Sequence, residues 1–259
     1  LDFSEIEMAD PGVRPYHFDV VVNPYDLDNG AFYTMMYKRP YRDDYKRIGG
    51  GDWGMRPGDD FLHIVGLLSD KVPSLIPSLV KGVINNQYKT FSDRQGTLGE
   101  MFSYTSIHGG SSTGSALGVP LERANDALEL LLSVTKTHGP FAGVYGLRYV
   151  KKSSALLGFT RFDRTCIIDM DGADSKRTRS FFQNVWRAFN DEGIPFTLHW
   201  GKAGDFSSES VRRMYGESVD TWISSRETLL NSDARRAFSS AFLDYTGLNR
   251  EEFDPPPIV

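Results

Sequence analysis

Residues 115–138 read SALGVPLERANDALELLLSVTKTH, an apolar run of strand length that passes through Pro120 into an amphipathic helix. Pro120 supplies the fixed φ of a first helical turn, and Gly139 closes the helix behind His138. Ala124, Leu128, Leu131, Leu132 and Thr135 recur at helical spacing and form the predicted buried face. Two strands follow, 142–150 (AGVYGLRYV) and 166–170. A second helix spans 175–190, with Phe181, Phe182, Val185, Trp186 and Phe189 on one face and Gly193 past its end. A short strand at 195–200 completes the series. The order strand, helix, strand, strand, helix, strand over 115–200 predicts a split βαβ plan.

On the N-terminal side, 15–24 (PYHFDVVVNP) and 31–38 (AFYTMMYK) read as strands joined across Asp28-Asn29-Gly30, a hairpin. Residues 39–60 are polar, with Pro40, Pro57 and Gly49-Gly50-Gly51, and read as a loop or lid. From 61 to 86 the apolar spacing is helical but interrupted by Pro73 and Pro77, which predicts one or two helices starting near Ser69. Residues 98–104 read as a short strand before the turn His108-Gly109-Gly110. Helices are expected at 207–215 and 218–230, and Asp254-Pro255-Pro256-Pro257 as an extended tail. The fold class is α+β: a mainly antiparallel sheet with helices on one side, ferredoxin-like. Residues 1–248 are expected to form one domain and 249–259 a tail.

A net charge of -5 with 24% charged residues of both signs leaves no basic stripe for nucleic acid. No stretch approaches the ~18 apolar residues of a membrane span, so neither partner is expected. Cys166 is the only cysteine, which excludes an intrachain disulfide and a thiolate metal cluster, and its β-type surroundings predict a buried structural thiol. The first ten residues carry Asp2, Glu5, Glu7 and Asp10 and do not resemble a signal peptide. The chain is therefore expected to be soluble and cytoplasmic rather than secreted.

The sequence lacks a Walker loop, a G-x-S-x-G elbow, an H-E-x-x-H helix and a strand-led G-x-G-x-x-G fingerprint. His108-Gly109-Gly110-Ser111 reads as a plain turn and His17 as a core histidine. Asp169, Asp171 and Asp174 place three carboxylates close together, but without EF-hand spacing, and a helix start capped by Asp174 or Ser175 accounts for them better than a metal. The informative segment is 195–204 (PFTLHWGKAG), where His199, Trp200, Gly201 and Lys202 meet at one strand terminus. An imidazole, a flat ring, a residue without a side chain and a cation together suit an aromatic ligand that develops negative charge. A hydrolase using His199 with Asp205 or Asp169 would lack a nucleophile.

His199-Trp200-Gly201-Lys202, the helices after it and Tyr215-Gly216 resemble the C-terminal end of sugar-lactone and alditol oxidases in the vanillyl-alcohol-oxidase flavoprotein superfamily. Residues 115–131 resemble that family's cap-domain strand and helix, and Gly146-Leu147-Arg148-Tyr149-Val150 its substrate-facing strand. The resemblance implies an FAD-dependent oxidoreductase, an oxidase oxidising an alcohol-bearing small molecule by hydride transfer to flavin. It implies His199, Trp200, Gly201 and Lys202 at the cofactor, Arg148, Tyr145 and Gly146 at the substrate, and Lys202 and Arg148 as catalytic residues. The family's FAD-binding domain with its pyrophosphate loop has no counterpart in these residues, so the chain is expected to be the substrate (cap) half, with an FAD-binding domain or chain as partner. Alditol-type enzymes carry a glutamate two positions before the arginine, where this sequence has Gly146; the carboxylate that would bind sugar hydroxyls is missing. The alternative is a non-catalytic binding module that kept the cap fold.

Overall fold

The computed structural model describes residues 14–49, 59–87, 92–101 and 111–249. Gly50-Gly51, residues 102–104, His108-Gly109-Gly110 and the 254–257 segment, on which expectations were placed, lie outside them.

Alternating β-branched and aromatic residues make β1 (His17–Val22) and β2 (Phe32–Met36), which pair antiparallel across a turn where Gly30 takes φ +80°. Two-residue strands β3 (Lys46–Arg47) and β4 (Arg94–Gln95) pair parallel to each other. Between them lie α1 (Asp59–Lys71) and α2 (Ile76–Gln87), and after β4 comes α3 (Leu98–Met101). The central series is β5 (Ser112–Pro120), α4 (Ala124–His138), β6 (Gly143–Lys151), β7 (Arg164–Ala173), α5 (Lys176–Asp191) and β8 (Thr197–Leu198). Four helices follow: α6 (Ser208–Tyr215), α7 (Ser218–Leu229), α8 (Ser232–Ala237) and α9 (Ala241–Tyr245).

Six strands form one sheet in the order β2-β1-β6-β7-β5-β8, and every neighbouring pair is antiparallel. Within it, β6-β7-β5-β8 with α4 and α5 is the split βαβ plan read from 115–200. The hairpin β1–β2 widens this unit by pairing β1 with β6.

The main core lies between the sheet and α4, α5, α6 and α7. Leu117, Tyr145, Ile168 and Met170 enter it from the strands, and Phe181, Phe182, Val185 and Phe189 from α5, all essentially without solvent exposure. Side chains of this size stabilise by roughly 1.5–3 kcal/mol each on full burial, so α5 is anchored mostly by its four apolar residues. A smaller cluster joins Val65 of α1 and Ile76, Val80 and Ile84 around α2 to Ala142 and Ala173, with Val144 and Phe32 against it. Cys166 is fully buried, and burial pushes its thiol up to about 12.

Four local expectations are corrected. The first helix begins at Asp59, ten residues before Ser69, because Pro73 starts a separate 3-10 turn, Pro73–Leu75, rather than interrupting a helix already running. Residues 98–101 are helical, not extended, because Thr97 and Glu100 form a capping box: Glu100 accepts from the Thr97 N–H at 2.8 Å, and the Glu100 N–H donates to Thr97 Oγ1 at 3.3 Å. In α4 the buried positions include Ala127 and Val134, whereas Leu128 and Leu132 are half-buried. The helices α8 and α9 were not foreseen; Asn231 and Ser240 cap them.

Candidate functional site

Register decides which side chains share a face. Asp19 of β1 lies opposite Arg148 of β6, Gly146 opposite Asp169 of β7, and Asp169 and Asp171 opposite Ala116 and Gly114 of β5. Paired residues in an antiparallel ladder point the same way, so these all project from the face opposite α4 and α5. One end of that face is covered by the α1–α2 cluster through Val144, Phe32 and Ala173.

Beyond that cover, four charged groups meet. Arg148 Nη1 donates to Asp169 Oδ2, and Lys202 Nζ donates to Asp169 Oδ1 at 2.6 Å and to Asp171 Oδ1 at 2.7 Å. The Asp169 side chain is 5% exposed, against 26% for Lys202, 46% for Arg148 and 55% for Asp171. A buried carboxylate thus spends one oxygen on each cation, and both cations reach solvent above it. Burial alone would lower the Lys202 ammonium, but Asp171 and Asp169 outweigh it and hold the group above the ordinary lysine range.

Glycine makes room for this arrangement. A Cβ at Gly114 would collide with the Asp171 carboxylate and lie 3.5 Å from Lys202 Nζ. One at Gly146 would touch Asp169 Cβ at 3.5 Å, ordinary contact, so Gly146 leaves space beside Arg148 rather than being forced.

The segment after β8 carries Lys202 onto this face. The His199 N–H donates to Ala116 O at 3.1 Å, the Lys202 N–H to His199 O at 3.1 Å, and the Ala203 N–H to Gly114 O at 2.9 Å, a turn that returns the chain to β5. His199 is exposed; its Nδ1 accepts from the Gly201 N–H at 3.0 Å, which leaves the proton of the neutral ring on Nε2, and its ring meets Phe159 edge-on at 5.1 Å. Trp200 points the other way. Its Nε1 donates to Leu157 O at 2.9 Å, and its ring stacks on Phe206 at 4.9 Å and Tyr215 at 5.6 Å.

The structure therefore brings Arg148, Gly146, His199, Gly201 and Lys202 to one face, and places two expected residues elsewhere. Tyr145 is corrected as a substrate contact: it is fully buried on the helical face, stacked on Phe141 at 5.6 Å, with its hydroxyl 2.6 Å from Thr135 Oγ1. Trp200, expected at the cofactor, turns its half-buried ring toward Phe206, Tyr215 and Phe242. Asp169 and Asp171, read from sequence as neighbours of a helix start, are parts of this cluster instead. Ser175 caps α5, accepting from the Thr178 N–H at 3.0 Å, while Asp174 pairs with Arg179. Among the described residues no three His, Cys, Asp or Glu side chains are grouped to hold a metal ion, and no helix is long and apolar enough to cross a membrane.

The Asp171 carboxylate and the Lys202 ammonium lie over Gly114, and Lys202, Arg148 and His199 supply donors on this face. The formal charges of Arg148 and Lys202 balance those of Asp169 and Asp171, so the cluster offers directed donors rather than net positive charge.

No family model and no curated protein matches the sequence. Among solved structures, a solvent-stable cholesterol oxidase aligns with a TM-score of 0.48 and 12% identity, over 90% of this chain and 54% of that one. The chain thus spans about half the length of that protein, and a likeness of this size identifies neither family nor function.

Proposed function

We propose that this chain is the substrate-binding part of an FAD-dependent oxidoreductase that oxidises an alcohol-bearing small molecule, with the nucleotide end of the cofactor held by a separate FAD-binding domain or chain. The observation that carries the reading is the meeting of Arg148 and Lys202 on Asp169, above a glycine-floored face. Arg148 and Lys202 lie in two of the three stretches on which the sequence resemblance to the vanillyl-alcohol-oxidase superfamily rests.

Bound FAD would supply the hydride acceptor. Lys202, with Gly201 and His199 beside it, would border the ring and hold an ammonium where negative charge develops. Arg148 would orient the substrate oxygen, and the absent side chain at Gly146 would leave room for the substrate beside the guanidinium. Asp169 would fix both cations in place before anything binds. A non-catalytic module is favoured by one observation, that the four charges of the cluster already satisfy one another.

Titration of this chain with FAD tests the reading. Contact with the ring face alone is expected to give weak binding, with chemical shift changes at Gly114, Gly146 and Lys202, since no loop among the described residues cradles a pyrophosphate at a helix N-terminus. Submicromolar affinity would contradict the two-part arrangement, and the absence of any perturbation at these residues would favour the non-catalytic module.

A further inference from the structure

On the helical side of the sheet, β8, α5, α6 and the 193–196 turn enclose a cavity of about 350 Å³. That lies at the lower end of the ~300–1,000 Å³ range of small-molecule pockets. Trp186, Phe189, Phe196 and Met214 give it an aromatic and apolar wall, and Arg161 and Arg213 lie in its lining with one carboxylate, Asp205. Asp205 is occupied: it accepts from the Ser207 N–H at 3.0 Å and from the Ser210 hydroxyl. Arg213 is occupied as well, by Glu209 at 2.9 Å.

Arg161 differs. Among the described residues its guanidinium has no carboxylate partner, and its only ring contact is Tyr215, 5.8 Å from its central carbon to the ring centre. In the same wall the Leu198 N–H donates to Met214 Sδ at 3.2 Å, a weak acceptor where an oxygen would serve better. A guanidinium without a carboxylate and a backbone N–H on a weak acceptor, both beside an aromatic wall, call for a ligand with an anionic head and a flat apolar body.

We propose that this cavity binds a small aromatic carboxylate, its ring against Trp186 and Phe189 and its carboxylate on Arg161. A planar guanidinium matches a carboxylate in two parallel hydrogen bonds, which a neutral head cannot return. The site is on the other side of the sheet from the Arg148–Lys202 cluster and does not depend on the function proposed for that face.

The test titrates the full chain with 2-naphthoate and with 2-naphthalenemethanol, its neutral counterpart, by calorimetry. In the unsubstituted protein the carboxylate should bind about tenfold or more tighter than the alcohol, in keeping with hydrogen bonds to a charged group. Arg161→Gln should abolish that advantage, and Asn190→Trp, which fills the mouth of the cavity from an exposed position, should weaken both ligands. Failure of 2-naphthoate to bind at about 10 mM, a concentration that would detect even a Kd weaker than 1 mM, overturns the proposal. So does binding that neither substitution changes. Should Arg161→Gln not fold, the carboxylate-to-alcohol ratio in the unsubstituted protein and the Asn190→Trp result decide the matter together.

Discussion

Asp169 gives one carboxylate oxygen to Arg148 and the other to Lys202, so its removal exposes two like charges to each other. Breaking a fully buried ion pair costs about 3–5 kcal/mol, but both cations here reach solvent, which reduces the expected loss for Asp169→Asn to about 1–3 kcal/mol. Thermal melting of the folded variant measures it; a loss below about 0.5 kcal/mol would show that the cluster does not hold the site together. The pH dependence has a definite sign. The Lys202 ammonium is raised in the folded state, so its contribution is fully present below the unfolded lysine value of ~10.4 and is lost as pH rises through the higher folded value. Lys202→Met should therefore flatten the alkaline limb of the stability profile, and an unchanged limb above pH ~10 would remove Lys202 as its source. The partnership of Asp169 was not legible in the sequence: Lys202 is 33 residues away, and only the antiparallel register of β5 with β7 and β8 brings them together. The place of Tyr145 is legible in the sequence, since strand alternation puts it on the face opposite Gly146 and Arg148.

At the scale of elements, α5 and its neighbours were readable because one face concentrates Phe181, Phe182, Val185 and Phe189, a pattern that no strand or loop shares. The start of α1 and the whole of α3 were not, for opposite reasons. Pro73 and Pro77 interrupt the apolar periodicity of 61–86 and hide the helix before them, and the apolar residues Leu98 and Met101 suit a strand as well as the helix that the Thr97–Glu100 capping pair alone decides. Capping also ties α5 to α1. Ser175 Oγ accepts from the Thr178 N–H and donates to Thr178 Oγ1 at 3.0 Å, with Ser69 Oγ 3.4 Å away. Ser175→Ala should destabilise the fold by about 0.5–2 kcal/mol, the usual cost of a lost N-cap. Denaturant unfolding at constant m-value would confirm it, and a change within error would mean that the surrounding packing of α5 makes the cap redundant.

The whole molecule has two unlike sides. One face of the six-stranded sheet is buried by the α4 and α5 layer, while the other, among the described residues, is covered at one end by α1 and α2 and carries the Arg148–Asp169–Asp171–Lys202 cluster beyond them. Arg148 and Asp171 reach solvent there, so the charged cluster is the part of that face open to a ligand or to another domain. The proposed function assigns both to it, a flavin ring and the domain that holds the rest of the cofactor. The decisive measurement is the visible absorption spectrum of the protein purified from its native source, followed by chromatography of whatever denaturation releases and by peptide mapping for a covalently attached flavin. The account predicts a flavin spectrum, with FAD either released or linked to the protein. A colourless protein of full native mass, with no flavin in either fraction, would contradict it.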